Sequence, residues 1–143
     1  MKNKKYELLK DDAVTSFGRT LYRIKATTDF GDVKKGELGG YIEKEENLSH
    51  LGNAWVTDDA WVSGNARVSD DARVLDNALV TDNARVLDNA LVSGNARVSG
   101  NAWVSGDAWV SADARVSDNA RVSDNARVSD DAIVSGNAWV SDN

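Results

Sequence analysis

Valine recurs every six residues from Val56 to Val140, fifteen times without interruption. Alanine stands two places before each of these valines, from Ala54 to Ala138. A period of six fits no α-helix, because positions six apart walk around a helix of 3.6 residues per turn. It fits a short strand followed by a corner, with valine on one side of the strand and its two neighbours on the other. Self-similarity at this fixed period predicts a repeat architecture.

All but one of the units also carry a corner made of an Asp or Gly followed by an Asn or Asp, which are residues that tolerate positive φ; the exception has Ala112 in the first position. Three units of six close one coil of eighteen residues, and this is the hexapeptide pattern of the left-handed parallel β-helix. The predicted fold class is all-β, a left-handed parallel β-helix of about five triangular coils with a small β-rich N-terminal cap. Residues 48–143 are predicted to form the helix and residues 1–47 the cap, which covers the open end that a solenoid otherwise leaves.

The predicted coil brings residues eighteen apart into columns. The outward columns are Trp55, Arg73, Leu91, Trp109 and Arg127 on the first face, Trp61, Leu79, Arg97, Arg115 and Ile133 on the second, and Arg67, Arg85, Trp103, Arg121 and Trp139 on the third. One corner is predicted to hold a ladder of side-chain amides, formed by Asn65, Asn83, Asn101, Asn119 and Asn137. A second corner gathers carboxylates, namely Asp70, Asp71, Asp88, Asp107, Asp124 and Asp142.

Charge and composition limit the classes of partner. The net charge is −6, and residues 51–143 contain seven Arg, no Lys and fourteen Asp. Direct nucleic-acid binding is therefore not expected, because Lys and Arg supply most of that affinity, although an acidic body is compatible with imitation of nucleic acid. The chain has no Cys and hence no thiolate metal site. No cofactor or metal is predicted; Ca²⁺ along the Asp corner is the alternative to solvated turn residues.

The N-terminal segment has its own sequence features. It contains "GRTLYRI", "DFGDV" and "LGGYIE…NLSH", with turn signals between strand-like runs. In this segment and in the hexapeptides that follow, the chain resembles phage and prophage hexapeptide-repeat proteins, which share the fold of trimeric LpxA-like acyltransferases and are often labelled putative transferases. The resemblance implies a left-handed β-helix of phage or prophage origin. No signal peptide or membrane span is visible, so a cytoplasmic protein is expected.

His50 is the only histidine and the candidate general base if the chain is an enzyme. The resemblance implies that such an enzyme would be an acyl-CoA-dependent transferase, since acyltransferases of this fold use a His near a subunit junction. Those enzymes also have loops inserted between coils, and the fifteen repeats contain no insertion. His50 is therefore expected to fill a strand position where the cap joins the helix, and no catalytic residue is assigned.

Five outward Trp residues would expose an unusually large apolar area to water. Stacking of Arg on Trp in adjacent coils explains part of it, with Arg73 predicted over Trp55 and Arg127 over Trp109. The rest indicates an interface, because Trp and Arg are the usual anchors of binding surfaces. The predicted interface lies on the first face and comprises Trp55, Arg73, Leu75, Leu91, Trp109 and Arg127. A secondary surface on the third face comprises Leu87, Trp103 and Trp139.

The function that this pattern favours is a non-catalytic binding or scaffold protein. It would be a rigid acidic prism that self-associates as a dimer or trimer and binds or inhibits a host component, by DNA mimicry, by blocking a cleft or by sequestering a small anion. The alternatives are a hexapeptide-repeat acyltransferase that uses His50 and a structural part of a virion.

Overall fold

The computed structural model describes residues 4–16, 18–50 and 52–140. It confirms the predicted fold class: the chain is all-β and its repeats form a parallel β-solenoid with three faces. Three longer strands precede the repeats, namely β1 (Tyr6–Ser16), β2 (Arg19–Ala26) and β3 (Leu38–Ile42). The helical structure within the described residues is one 3-10 turn, Glu45–Asn47, and no helix there is long and apolar enough to cross a membrane.

Each repeat contributes a two-residue strand whose second residue is the valine. The first face contains β4 (Trp55–Val56), β7 (Arg73–Val74), β10 (Leu91–Val92), β13 (Trp109–Val110) and β16 (Arg127–Val128). The second contains β5 (Trp61–Val62), β8 (Leu79–Val80), β11 (Arg97–Val98), β14 (Arg115–Val116) and β17 (Ile133–Val134). The third contains β6 (Arg67–Val68), β9 (Arg85–Val86), β12 (Trp103–Val104), β15 (Arg121–Val122) and β18 (Trp139–Val140).

Strands eighteen residues apart pair in parallel, so the three predicted columns are confirmed. The valines point into the solenoid, where those from Val56 to Val122 are 0% exposed, and the alanines beside them are buried from Ala54 to Ala126. Small side chains suit this interior because three sheets converge on it. The left hand of the coil stays a prediction, since strand pairing alone does not depend on it.

The corner residues have the conformation that their side chains predict. The first residue of most corners is an Asp or Gly with φ near 60°. The carboxylate of such an Asp accepts a hydrogen bond from the backbone N–H eighteen residues later, as in the 3.1 Å bond from Gly94 to Asp76 Oδ2 and the 3.1 Å bond from Gly106 to Asp88 Oδ2. Within the described residues, the N–H group of the first corner residue makes no backbone bond to the neighbouring coil, whereas that of the second does. These carboxylates therefore satisfy donors that otherwise lack a protein partner.

The cap is continuous with the second face. β1 and β2 pair antiparallel, with an irregularity between Leu9 and Ala13, and β2 pairs antiparallel with β3. β3 then pairs in parallel with β5, placing Tyr41 beside Trp61, and an isolated bridge joins Leu48 to Val68. Residues 41–48 therefore add a partial turn beneath the five coils of repeats.

Gly39 and Gly40 allow β3 to lie this close to the first coil. A Cβ atom on Gly39 would stand 2.4 Å from the Val56 carbonyl oxygen, and one on Gly40 would stand 2.6 Å from the Ala60 carbonyl oxygen. Both distances are shorter than any normal contact. The close packing of β3 on the first coil therefore requires glycine at both of these positions.

Candidate functional site

The prediction that Trp55 lies on an exposed interface is wrong. Trp55 is 3% exposed, because the cap covers the first face at this level. Its ring meets Phe30 edge-on at 5.2 Å between centroids, and Tyr6 at 6.3 Å. Trp55 is therefore part of the core that joins the cap to the solenoid.

The predicted stacking of Arg73 on Trp55 is replaced by an ion pair. The Arg73 guanidinium lies 3.0 Å from the Asp32 carboxylate, which belongs to the "DFGDV" segment of the cap. Both side chains are well exposed, so the pair contributes at most about 1 kcal/mol. Sequence reasoning missed it because residues 32 and 73 are brought together only when the cap folds across the first face.

Three residues of the predicted interface remain available as an apolar strip, which we call the first-face strip: Leu75, Leu91 and Trp109. Leu75 and Leu91 are half-buried, whereas Trp109 is 42% exposed and stands in register with Leu91 in the next coil. Arg127 lies over the Trp109 ring at 4.6 Å, which confirms the predicted cation–π contact. One side of this indole is thus covered from within the chain, while much of its surface faces solvent.

The third face carries an alternating column of arginine and tryptophan. The Arg121 guanidinium lies 4.8 Å from the Trp103 ring and 5.4 Å from the Trp139 ring, and Arg85 lies 5.5 Å from Trp103 on its other side. Trp103 and the neighbouring Leu87 are half-buried, whereas Trp139 is 72% exposed. The secondary surface predicted from sequence is therefore an Arg–Trp stack in which the apolar residues are largely covered up to the final coil.

His50 lies at the junction of cap and solenoid, where its imidazole stacks on the Tyr6 ring at 4.1 Å. Its Nδ1 accepts a hydrogen bond from the Lys5 backbone N–H at 3.0 Å, and its Nε2 lies 3.1 Å from the Glu45 carboxylate. Because Nδ1 acts as an acceptor, the proton of the neutral ring is assigned to Nε2, where it points to Glu45. No lone pair of the ring remains free for a substrate proton, so this geometry favours a structural role.

Lys5 and Asn47 take the place of the missing strand donors beneath the first coil. Lys5 is 4% exposed, and its Nζ donates to the Ala54 carbonyl at 2.7 Å and the Gly52 carbonyl at 3.4 Å. Asn47 is fully buried, and its Nδ2 donates to the Ala66 carbonyl at 2.9 Å. Each side chain therefore satisfies carbonyls that the coil stack leaves open at this end.

Burial sets the protonation behaviour of this junction. Burial lowers the pKa of Lys5 to about 8, and the nearby Asp71 charge opposes that shift only in part. Burial, together with the charges of Glu45 and Glu46, raises the pKa of Tyr6, whose hydroxyl donates to the Leu48 carbonyl at 2.6 Å. Neither Lys5 nor Asn47 was identified from sequence, because no local pattern distinguishes a buried lysine within a Lys-rich N-terminus.

The predicted Asp corner consists of two adjacent columns. Asp70, Asp88 and Asp124 have positive φ, whereas Asp71 and Asp107 occupy the following position; Asp142 lies outside the described residues. The carboxylates of Asp70 and Asp88 accept backbone N–H groups one coil later, at 3.3 and 3.1 Å. The Asn ladder is confirmed, with Nδ2–Oδ1 bonds of 3.2 Å linking each of its five members to the next.

Comparison with known proteins identifies the repeats. The YdcK beta solenoid repeat family matches residues 60–76, 90–106, 96–112, 114–128 and 126–142, which together make up just under half of the chain. No curated protein matches the chain. The matched segments are the coils in which valine and alanine columns form the core. The chain is therefore a repeat β-solenoid protein, and its coils are similar to the YdcK beta solenoid repeat.

Proposed function

We propose that this protein is a non-catalytic binding or scaffold protein that self-associates through the first-face strip. The observation that carries the proposal is the exposure of Trp109, in register with Leu91 on a five-stranded sheet. Burying one large aromatic and its leucine neighbour contributes several kcal/mol to association, at about 25 cal/mol per Å². Aromatic residues beside arginine are typical anchors of protein interfaces.

The order of residues along the first face suits a two-fold arrangement. The column reads Arg73, Leu91 and Trp109, with Leu91 in the middle. A second copy placed antiparallel about Leu91 brings leucine against leucine and each Trp109 against the other copy's Arg73. A two-fold interface uses the same patch on both subunits, so the patch must be complementary to itself. Antiparallel packing of this column on its copy meets that condition.

In this proposal the assembled prism presents its acidic corners to a host component. The net charge of −6 and the Asp columns at the corners support an electrostatic role, and the resemblance to phage and prophage repeat proteins supports a host target. The regular spacing of the coils, about 4.8 Å, would repeat the negative charge along each corner.

The solution mass by light scattering tests self-association directly. We expect a dimer for the wild-type protein and a folded monomer for the Leu91→Asp, Trp109→Asp double variant, because two carboxylates would then be buried at the interface. The matched control is Leu79→Asp, Trp103→Asp, which introduces the same charges on the other two faces and should leave the dimer intact. A monomeric wild type, or equal dissociation of the control, would contradict the proposal.

A further inference from the structure

A cleft of about 280 Å³ lies between the start of β2 and the second face, away from the first-face strip. Its polar lining comes from Arg19, Ser63, Thr81 and Asp82. Its apolar wall is made by the Trp61 and Leu79 side chains, which stand in register in adjacent coils, and by the buried Leu21 of the cap. The volume is at the lower end of ligand-binding pockets, so it suits one ring rather than a longer molecule.

Two hydroxyl groups in the cleft have unused hydrogen-bonding capacity. Ser63 is 7% exposed and Thr81 is half-buried, and they occupy equivalent positions in successive coils. Within residues 4–16, 18–50 and 52–140, neither side-chain hydroxyl makes a hydrogen bond, although their backbone N–H groups bond to the next coil. Both hydroxyls are therefore free of protein partners among the described residues and can bond to a ligand with polar atoms that enters the cleft.

The rim of the cleft offers one cationic donor and one anionic acceptor. The Arg19 guanidinium is held 2.9 Å from Glu43, whose carboxylate also accepts the Gly64 N–H at 2.7 Å. Asp82 uses Oδ2 to accept the Gly100 N–H at 3.1 Å and keeps Oδ1 for another donor. The cation is already neutralised by Glu43 and a second carboxylate stands nearby, so the cleft has no excess positive charge for an anionic ligand.

We propose that this cleft binds a neutral pyranose ring, either as a free monosaccharide or as the end of a glycan. The C–H face of the sugar packs against Trp61 and Leu79, which supply apolar surface. Sugar hydroxyls donate and accept at the same time, which matches the mixture of Ser63, Thr81, Arg19 and the free Asp82 oxygen. The site is separate from the first-face strip, and the inference holds whether or not the protein self-associates.

The test is a titration followed by the indole N–H resonances of the five Trp residues in a ¹H–¹⁵N spectrum. The Trp61 resonance is assigned by its loss in Trp61→Phe. The probes are the methyl pyranosides of glucose, galactose, mannose and N-acetylglucosamine, and a disaccharide ending in whichever of them binds. At least one methyl pyranoside should shift the Trp61 resonance saturably and leave that of Trp103 in place. Tighter binding of the disaccharide identifies a glycan end, and equal binding identifies a free monosaccharide.

Two variants alter the hydrogen-bonding groups of the cleft: Ser63→Ala removes a hydroxyl, and Asp82→Asn replaces the free acceptor oxygen by an N–H donor while the remaining oxygen can still accept the Gly100 N–H. Ser63→Ala and Asp82→Asn should each weaken binding about three- to tenfold, the effect of one hydrogen bond. Asp118→Asn is the matched control, because Asp118 occupies the same corner column and accepts the Gly136 N–H at 3.2 Å, far from the cleft. The inference is overturned if no pyranoside shifts the Trp61 resonance, if only an aromatic anion such as indole-3-acetate does so, or if Asp118→Asn weakens binding equally.

Discussion

At the corner that follows β13, Ala112 adopts a φ of 58°, a conformation that the other described corners of this kind give to Asp or Gly. An L-residue without a local polar partner is strained there by roughly 1–2 kcal/mol. Alanine also lacks the carboxylate that would accept the Asp130 N–H in the next coil, as Asp118 does for Gly136. One residue thus departs from the rule that the other corners follow.

Replacing Ala112 by glycine should stabilise the protein. We expect Ala112→Gly to raise the free energy of unfolding by about 1 kcal/mol, because glycine adopts positive φ without a steric cost. The melting temperature should rise by roughly 3 °C for a chain of this length. Ala114→Gly is the control, since Ala114 is a buried core residue. Loss of its methyl group from the core should lower the melting temperature. A lower melting temperature for Ala112→Gly would show that this corner is not strained.

The buried amine of Lys5 predicts an unusual dependence of stability on pH. The folded state releases the Lys5 proton near pH 8, whereas the unfolded state keeps it until about 10.5. The unfolded state therefore binds more protons in this window, and the free energy of unfolding should rise as the pH increases from about 8 towards 10. Above pH 10 the raised pKa of Tyr6 acts in the opposite direction, because unfolded tyrosine ionises first.

Denaturant unfolding between pH 7 and 10 measures this effect. Lys5→Met should lower the stability, because the carbonyls of Ala54 and Gly52 lose their donor, and it should abolish the rise with pH. Lys4→Met is the control, since Lys4 is well exposed in its ion pair with Glu45. In this variant the free energy of unfolding should rise with pH as much as it does in the wild type. If the free energy of unfolding still rises with pH in Lys5→Met, the rise comes from a titratable group other than Lys5.

Among the structural elements, the Asn ladder stabilises the stack through bonds that each residue shares with two neighbours. Asn101 accepts from Asn83 and donates to Asn119, whereas Asn137, within residues 52–140, accepts from Asn119 without donating to a further ladder asparagine. Asn101→Ala should therefore lower the free energy of unfolding about twice as much as Asn137→Ala, at roughly 0.5–1 kcal/mol per bond. Equal effects in thermal or denaturant unfolding would mean that the corner amides are satisfied by water instead.

The attachment of the cap depends on the close approach of β3. Gly39→Ala should loosen the cap by about 1–3 kcal/mol, because the added methyl group would meet the Val56 carbonyl and the Trp55 ring. As Trp55 becomes exposed, the Trp fluorescence spectrum should shift to the red and be quenched more strongly by a soluble quencher. Gly18→Ala is the control for an added methyl group without a close contact: at its φ of 77° alanine strains only the local backbone, and none of the described residues lies within 4 Å of the added atom. An unchanged spectrum for Gly39→Ala would contradict the packing requirement.

For the whole molecule, the proposed two-fold interface has a sharp chemical test. The chain contains no Cys, so a single introduced thiol can form a disulfide only with a second copy. Because Leu91 lies on the proposed axis, Leu91→Cys should give a disulfide-linked dimer under mild oxidation. Arg97→Cys, in the adjacent strand on the second face, should remain a monomer on a non-reducing gel. A dimer by light scattering without this cross-link would retain self-association but reject the axis.

Much of the solenoid follows from the sequence, because a strict period fixes every neighbour once one coil closes. The valine core, the three columns and the Asn ladder are all consequences of the separation by eighteen residues. The cap has no such period, so its contacts depend on tertiary packing that local patterns do not encode. For this reason the burial of Trp55, the Arg73–Asp32 pair and the donors from Lys5 and Asn47 became visible only in the structure.

Because the register is strict, the effect of deleting repeats depends on whether the deletion removes a whole coil or one third of a coil. Removing eighteen residues, such as 91–108, deletes one full coil and leaves each later residue on its original face. Removing six residues rotates everything beyond the deletion by one third of a turn, so that the Arg–Trp stack of the third face would move to the second. Duplication or loss of repeats in a lineage can therefore either change the length of the prism or redirect its surfaces, with the same core throughout.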